Sequence, residues 1–251
     1  MASVTDVKRQ DVLTVQQEPT EQVEIAATGL GLRAVNARLR GASPNGPIRI
    51  KDVAGLSGLA AGLEQGELLV DGQAGDYLAA LNDGASIRVE GDVGCYLADN
   101  MTRGTVVVGG SAGHGAAPYC YGGVVVIKGD AGDFTAVMNK GATVIVGGDV
   151  GNDVATYMLD GDVIVVGDAG ENLGNYLIRG SIYVGGEWKS LGHNTRLEVM
   201  TPDDVVKLQK LFKEYGIDAE PSSFRKVSPR SEKPFYKSES PAQAETPSRR
   251  T

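Results

Sequence analysis

The chain has 251 residues, a formal charge of −8, 35 glycines and two cysteines. That length can bury a sizeable core, and the absence of any apolar run of bilayer length excludes a membrane-spanning helix. The acidic balance disfavours nucleic acid as a partner, and the opening segment MASVTDVKRQDVLT, with no apolar signal core, together with only Cys95 and Cys120 as thiols, points to a reducing, cytoplasmic setting.

Residues 1–27 read as an N-terminal extension. Leu32, Val35 and Leu39 then keep the spacing of a short amphipathic helix. Ser43-Pro44-Asn45-Gly46-Pro47 breaks it, and Ile48 and Ile50 make a degenerate strand.

From there a repeat governs the chain. Gly72, Gly91, Gly110, Gly129, Gly148, Gly167 and Gly186 recur every 19 residues without a slip. Three positions later stand Gly75, Gly94, Gly113, Gly132, Gly151 and Gly170, and the column fails only at Lys189. Six positions before the anchor come Gly66, Ala85, Gly104, Gly123, Ala142, Gly161 and Gly180, each alanine preceded by a glycine. Leu68, Ile87, Val106, Val125, Val144, Val163 and Ile182 form one apolar column. Val70, Val89, Val108, Ile127, Val146, Val165 and Val184 form a second, two residues on. Two inward positions around a tolerant one make a strand. One such strand per repeat, with the same columns inward, predicts rungs stacked in register about 4.8 Å apart. The small column Ala79, Ala98, Ala117, Ala136, Ala155 and Gly174 fits the same stack. The anchor glycines are predicted as structural turn positions, needed for a positive φ or for close backbone approach. The expected architecture is all-β: a right-handed, single-stranded parallel β-helix over residues 28–200 with about seven rungs. Hexapeptide left-handed helices need 18 residues a turn and the calcium-binding nonapeptide repeats need a fixed Asp, so neither fits.

Thr201-Pro202-Asp203-Asp204 combines an N-cap, a first-turn Pro and a capping-box acid. Val205, Leu208, Leu211, Phe212 and Tyr215 keep helical spacing to Gly216, which predicts a capping helix over 201–216. Residues 217–251 are Pro- and Ser-rich, with seven basic residues against five acidic ones from Asp218 on. They are expected to form an extended docking tail, with Phe224, Phe235 and Tyr236 as anchors and Arg225 among the charges that meet a partner.

Catalytic, cofactor-binding and metal-ligating residues are expected to be absent. Asp92, Asp130, Asp149 and Asp168 form a column with no second ligand column beside it, so side-chain bonds to turn amides explain it better than a cation does. Asn82, Asn139, Asn152, Asn172 and Asn175 suggest a partial asparagine ladder. His114 has no nucleophile or acid suggested by register. His193, Asn194 and Arg196 fall where the repeat ends and are candidate interface residues. The G-x-G motifs are not dinucleotide fingerprints, because no helix follows the strand.

The segments Gly75-Asp76-Tyr77, Gly132–Gly141, Gly174–Gly180 and Ser190-Leu191-Gly192-His193 resemble the GXGXG family. That family includes the C-terminal β-helix domain of the glutamate synthase large subunit, and the β-helix subunits of formylmethanofuran dehydrogenase and of the formyltransferase/hydrolase complex. The stand-alone size is most similar to the β-helix subunit of a split glutamate synthase of the N-methylglutamate synthase type, which acts in methylamine metabolism. The resemblance implies a noncatalytic scaffold in a cytoplasmic hetero-oligomer. Its implied partners are a glutaminase-type amidotransferase subunit and a synthase subunit carrying FMN and iron–sulfur clusters, with no cofactor in this chain. The alternative is the β-helix subunit of a formylmethanofuran dehydrogenase or formyltransferase/hydrolase complex. A polysaccharide-active β-helix enzyme is a third reading, disfavoured because the acids sit in turns and aromatics make up 6% of residues.

Overall fold

The computed structural model describes residues 22–233. Its centre is a parallel β-solenoid. Strands β3 (Glu67–Val70), β4 (Asp83–Val89), β5 (Arg103–Val108), β6 (Val124–Ile127), β7 (Lys140–Val146), β8 (Asp160–Val165) and β9 (Ser181–Val184) stack in chain order. The register follows the sequence repeat: Leu68 pairs with Ile87, Ile87 with Val106, and so on to Val163 with Ile182. Both inward columns are buried from Leu68 to Val184. Each rung covers its neighbour's apolar face, which a single rung could not bury alone. Two further strands, β1 (Val23–Ala26) and β2 (Ile48–Lys51), extend the stack at the N-terminal end. β1 falls inside the stretch expected to be an extension. Its Val23 and Ile25 align with Ile48 and Ile50, and a 25-residue offset hides the repeat there.

Between β1 and β2, helix α1 (Leu32–Ala42) seals the N-terminal end. Val35 and Leu39 are fully buried, and Asn36 ties the helix to the first loop: its amide donates to the Gly58 carbonyl and its oxygen accepts from the Ala60 N–H, both at 2.8 Å.

The middle position of each strand is open only on the early rungs, at Glu24, Arg49, Leu69 and Arg88. From Val107 on, the column Val107, Val126, Ile145, Ile164 and Tyr183 is buried under helix α2 (Pro202–Tyr215), against Leu208 and Phe212. Fourteen helical residues span about 21 Å, and the four steps from Tyr183 back to Val107 span about 19 Å. The helix therefore lies along the sheet's outer face, not across its end. Its start is fixed by the expected capping box: Thr201 Oγ1 accepts from the Asp204 N–H, and Asp204 accepts from the Thr201 N–H.

The expected docking tail of 217–251 is corrected in its first half. Strand β10 (Thr195–Glu198) is followed, after α2, by β11 (Arg225–Pro229), which inserts antiparallel between β9 and β10. Val227 is fully buried in the core, and Phe224 packs on Phe212 with ring centroids 5.3 Å apart. The composition of this stretch is polar, but it has an existing sheet edge to pair with and an apolar helix to lie against. No described helix is long and apolar enough to cross a membrane.

Candidate functional site

Each rung presents two polar ladders, and these explain the glycines. In the first, Asp92 Oδ1 accepts from the Ser111 N–H (2.8 Å), Ser111 Oγ from Asp130 (3.0 Å), Asp130 from Asp149 (2.8 Å), Asp149 from Asp168 (2.7 Å) and Asp168 from Glu187 (2.7 Å). Every carboxylate of the column is thus occupied by the amide one rung on. This agrees with amide bonding rather than cation binding. The side chain lies where a Cβ on the next anchor glycine would stand: at Gly110, Gly148, Gly167 and Gly186 it would overlap the preceding Asp Oδ1. Of the seven anchors only Gly72 has a positive φ, so close approach, not left-handed backbone, is what the column requires.

The second ladder runs beside the glycines three positions on. Asp76 accepts from the Cys95 N–H (2.8 Å), His114 Nδ1 from Asp133 (3.0 Å), Asp133 from Asn152 (2.7 Å) and Asn152 from Glu171 (2.9 Å). His114 is therefore a rung of this ladder, and the Asp133 carboxylate lies 3.6 Å from the same Nδ1.

Of the asparagines expected to form a partial ladder, Asn152 and Asn175 accept from amides of the next rung, whereas Asn82 and Asn139 do not. Asn82 and Asn139 are buried three rungs apart, and each clamps its own turn. Asn82 bonds both the N–H (3.1 Å) and the carbonyl (2.9 Å) of Ala85, and Asn139 does the same at Ala142 (3.0 and 2.8 Å). These are the two rungs where alanine replaces glycine. The preceding Gly84 (φ 134°) and Gly141 (φ 157°) take over the positive φ, and the ladder register shifts there.

After the second ladder the chain alternates into left-handed backbone at the fifth, seventh and ninth positions past the anchor, as at Tyr96 (φ 60°), Ala98 (φ 55°) and Asn100 (φ 55°). The seventh-position alanines are fully buried, which accounts for the small column. The fifth and ninth positions point outward and carry most of the exposed rings. Tyr77, Tyr96 and Phe134 stand in one column, Leu81, Tyr119 and Tyr157 in the other, with Tyr121 beside them, all at least 37% exposed. Tyr77 stacks on Tyr96 (centroids 4.8 Å, 17° between planes) and Tyr157 on Tyr176 (5.0 Å, 6°). Lys140 Nζ lies 3.9 Å from the centre of the Tyr121 ring. The sequence carries the signal for this face in two outward columns of the repeat. A low overall aromatic content conceals it, because six of the nine tyrosines gather on a single side.

Of the candidate interface residues, His193 ends this row, its ring 4.8 Å from Tyr176 and its N–H bonded to Asn175 Oδ1 (3.0 Å). Asn194 is held within the chain, donating to the carbonyls of Leu177 and Ser231. Arg196 sits on β10 near Glu198 (3.8 Å). Phe224 is buried against the chain's own helix, and the partly exposed Arg225 lies over the Trp188 ring (4.0 Å) and pairs with Glu187 (3.1 Å). Phe235 and Tyr236 lie outside the described residues.

A buried polar cluster joins the helix to the sheet. Buried Asp204 accepts from the Tyr183 hydroxyl (2.6 Å) and from Lys226 (3.2 Å), joining α2, β9 and β11. Burial pushes its carboxyl up, but the bonds from Tyr183, Thr201 and Lys226 outweigh burial and hold it well below the usual carboxylate range. Burial and the Asp204 bond push the Tyr183 hydroxyl up. Cys120 is fully buried, and burial pushes its thiol up to about 12. Among the described residues no group of three or more His, Cys, Asp or Glu side chains is placed to hold a metal ion.

The GXGXG motif family matches residues 118–217. No curated protein matches the chain. A solved structure that does match is a chain of the formyltransferase/hydrolase complex (FhcABCD) from Methylorubrum extorquens, determined with methylofuran. The identity is 21% and the TM-score 0.47, over 79% of this chain and 89% of that one. The expected glutamate-synthase-like scaffold, with glutaminase and FMN/iron–sulfur partners, is corrected here: the matched chain belongs to a formyltransferase/hydrolase complex, the alternative of the two readings.

Proposed function

We propose that this chain is a scaffold subunit of a hetero-oligomeric enzyme complex of the formyltransferase/hydrolase kind, in which the reacting groups and any cofactor belong to partner chains. The observation that carries the scaffold reading is how the rung's polar side chains are used. The carboxylates of the first ladder and His114 of the second, the residues from which a hydrolytic or metal site would be drawn, are bonded to backbone amides of the next rung. A side chain committed in this way sets the spacing of the rungs and is not poised over a substrate. The GXGXG match over 118–217 fits a family that includes the β-helix subunits of such complexes and the glutamate synthase domain alike, and the likeness to a chain of a formyltransferase/hydrolase complex favours the first.

The test is to isolate the full chain, tagged at one end, from its own host and identify the subunits that come with it in fixed stoichiometry. A metallohydrolase-like chain and a formyltransferase-like chain, with formyl transfer to a pterin or furan carrier in the purified complex, is the expected result. Glutaminase and flavin-bearing subunits, or hydrolytic activity in this chain alone, would overturn it.

A further inference from the structure

Two long sides of the rod differ in how they are finished. The outer face of the sheet is closed over five rungs by α2 and by the segment leading into β11. The side made by the left-handed segments is left with its rings outward. From the Tyr77 rung to the His193 rung is six steps, about 29 Å of rod length.

The strip's chemistry narrows the occupant. Its rings are stacked on each other along the rod axis, Tyr77 on Tyr96 and Tyr157 on Tyr176, with separations matching the rung spacing. In each pair one face of each ring is covered by the other. A protein surface can meet ring edges with apolar side chains and accept hydrogen bonds from the hydroxyls. Lys140 rests on the Tyr121 ring, and Asp153 stands in the fifth-position column one rung past Phe134. One border is formed by the second ladder, with the carboxylates of Asp76, Asp133 and Glu171. A second copy would bring another net −8 against the first and a like-charged border.

We propose that the strip of Tyr77, Tyr96, Tyr119, Phe134, Tyr157 and Tyr176 is the surface on which a different protein subunit docks. That subunit presents an apolar strip with cations that meet Asp153 within the ring columns and Asp76, Asp133 and Glu171 along their border. The proposal rests on the scaffold reading above and names the face that performs it.

The test substitutes Tyr96→Asp, Phe134→Asp and Tyr157→Asp, singly and together, in the full-length chain. Asp tolerates the left-handed backbone these positions adopt and places a charge in the strip. Lys210→Glu, on the exposed side of α2, is the control. Circular dichroism and melting confirm the fold, native mass spectrometry reads subunit composition, and titration of the separated subunits reads affinity. Each strip variant is expected to weaken the complex by about tenfold or more, and the triple variant to lose the docked subunit, with the control unchanged. Nitration of the intact wild-type complex provides a second readout that needs no variant: Tyr96 and Tyr157 should be protected relative to the free chain. A formyl-transferring complex that forms normally with the variants, its tyrosines nitrated as in the free chain, overturns the docking face and leaves the scaffold reading standing. Protection of the strip by subunits of another chemistry supports the docking face and overturns the formyl-transfer reading. A homodimer through the strip, or a chain that is isolated alone, overturns the proposal.

Discussion

Gly148 and Asp130 provide a direct test of what the repeat's glycines are for. Gly148 has no positive φ, and a Cβ there would overlap Asp130 Oδ1 and stand 3.0 Å from the Gly129 carbonyl carbon and oxygen. To admit Gly148→Ala, the Asp130 carboxylate must swing away and release the Asp149 N–H it accepts from at 2.8 Å. That lost bond costs about 1 kcal/mol, and adjusting the rung against Gly129 adds about 1–2 kcal/mol of overpacking. Gly148→Ala should therefore cost about 2–3 kcal/mol, and Asp130→Ala, which loses only the bond, about 1 kcal/mol. In the double variant the bond is lost once and the carboxylate is no longer in the way. Its cost should be about 1 kcal/mol less than the sum of the singles. Urea unfolding followed by circular dichroism measures all four proteins, provided the slope is constant across them. Gly72→Ala is the contrast: φ is 76° and nothing lies within 4 Å, so its cost of about 1 kcal/mol comes from backbone alone. Additive effects at 148 and 130, or a harmless Gly148→Ala, would refute close approach as the reason for the column.

Three more outcomes are expected. Val144→Asp places an unpaired carboxylate in a fully buried column and should cost several kcal/mol, whereas Arg88→Ala on the open part of the sheet should stay within about 0.5 kcal/mol in the same melting assay. Asp204→Asn removes the charge that Tyr183 and Lys226 bond to, at about 1–3 kcal/mol near neutral pH. Because the folded carboxyl titrates below the unfolded one, wild type has this advantage above about pH 4 and loses it as pH falls towards the folded value. The gap between wild type and variant should narrow on acidification, and a gap independent of pH would refute the assignment. Truncation after Gly216 removes β11 from between β9 and β10 and Phe224 from Phe212, so it should lower the melting temperature and expose α2's apolar face to dye. An unchanged melting temperature would show that the segment is dispensable to the fold.

The parallel stack was legible because a 19-residue repeat without slips leaves a single register. Inward columns, small column and capping box were readable for the same reason: each is a local rule repeated or a motif of four residues. What was not legible depended on partners far away in sequence. The middle strand position read as tolerant because Leu69 and Arg88 vary, yet five successive rungs end in Val107, Val126, Ile145, Ile164 and Tyr183, and only the path of α2 explains why they are apolar. Phe224 reads as a tail anchor, and nothing in the sequence marks Val227 as core, because composition reports no sheet edge to pair with. The glycines left two explanations open, and the sequence could not separate them, because the side chain that crowds Gly148 belongs to the rung before it.

The same repeat that builds the core also determines which side of the rod can be used. Burying the seventh-position alanines requires left-handed backbone at non-glycine residues, at a cost of about 1–2 kcal/mol each. The structure offsets this with hydrogen bonds that run alternately to the two adjacent rungs: Tyr96 donates to His114, Ala98 back to Leu78, and Asn100 to Pro118. Such a segment has its backbone satisfied above and below and cannot pair sideways with another strand. Recognition on that side must come from side chains, and the outward fifth and ninth positions are where they stand. On the opposite face the strands' middle positions also point out, but α2 and β11 have taken five of those rungs. A partner that reads the rod along its length therefore meets rings on one side and, on the other, only the open stretch at Glu24, Arg49, Leu69 and Arg88.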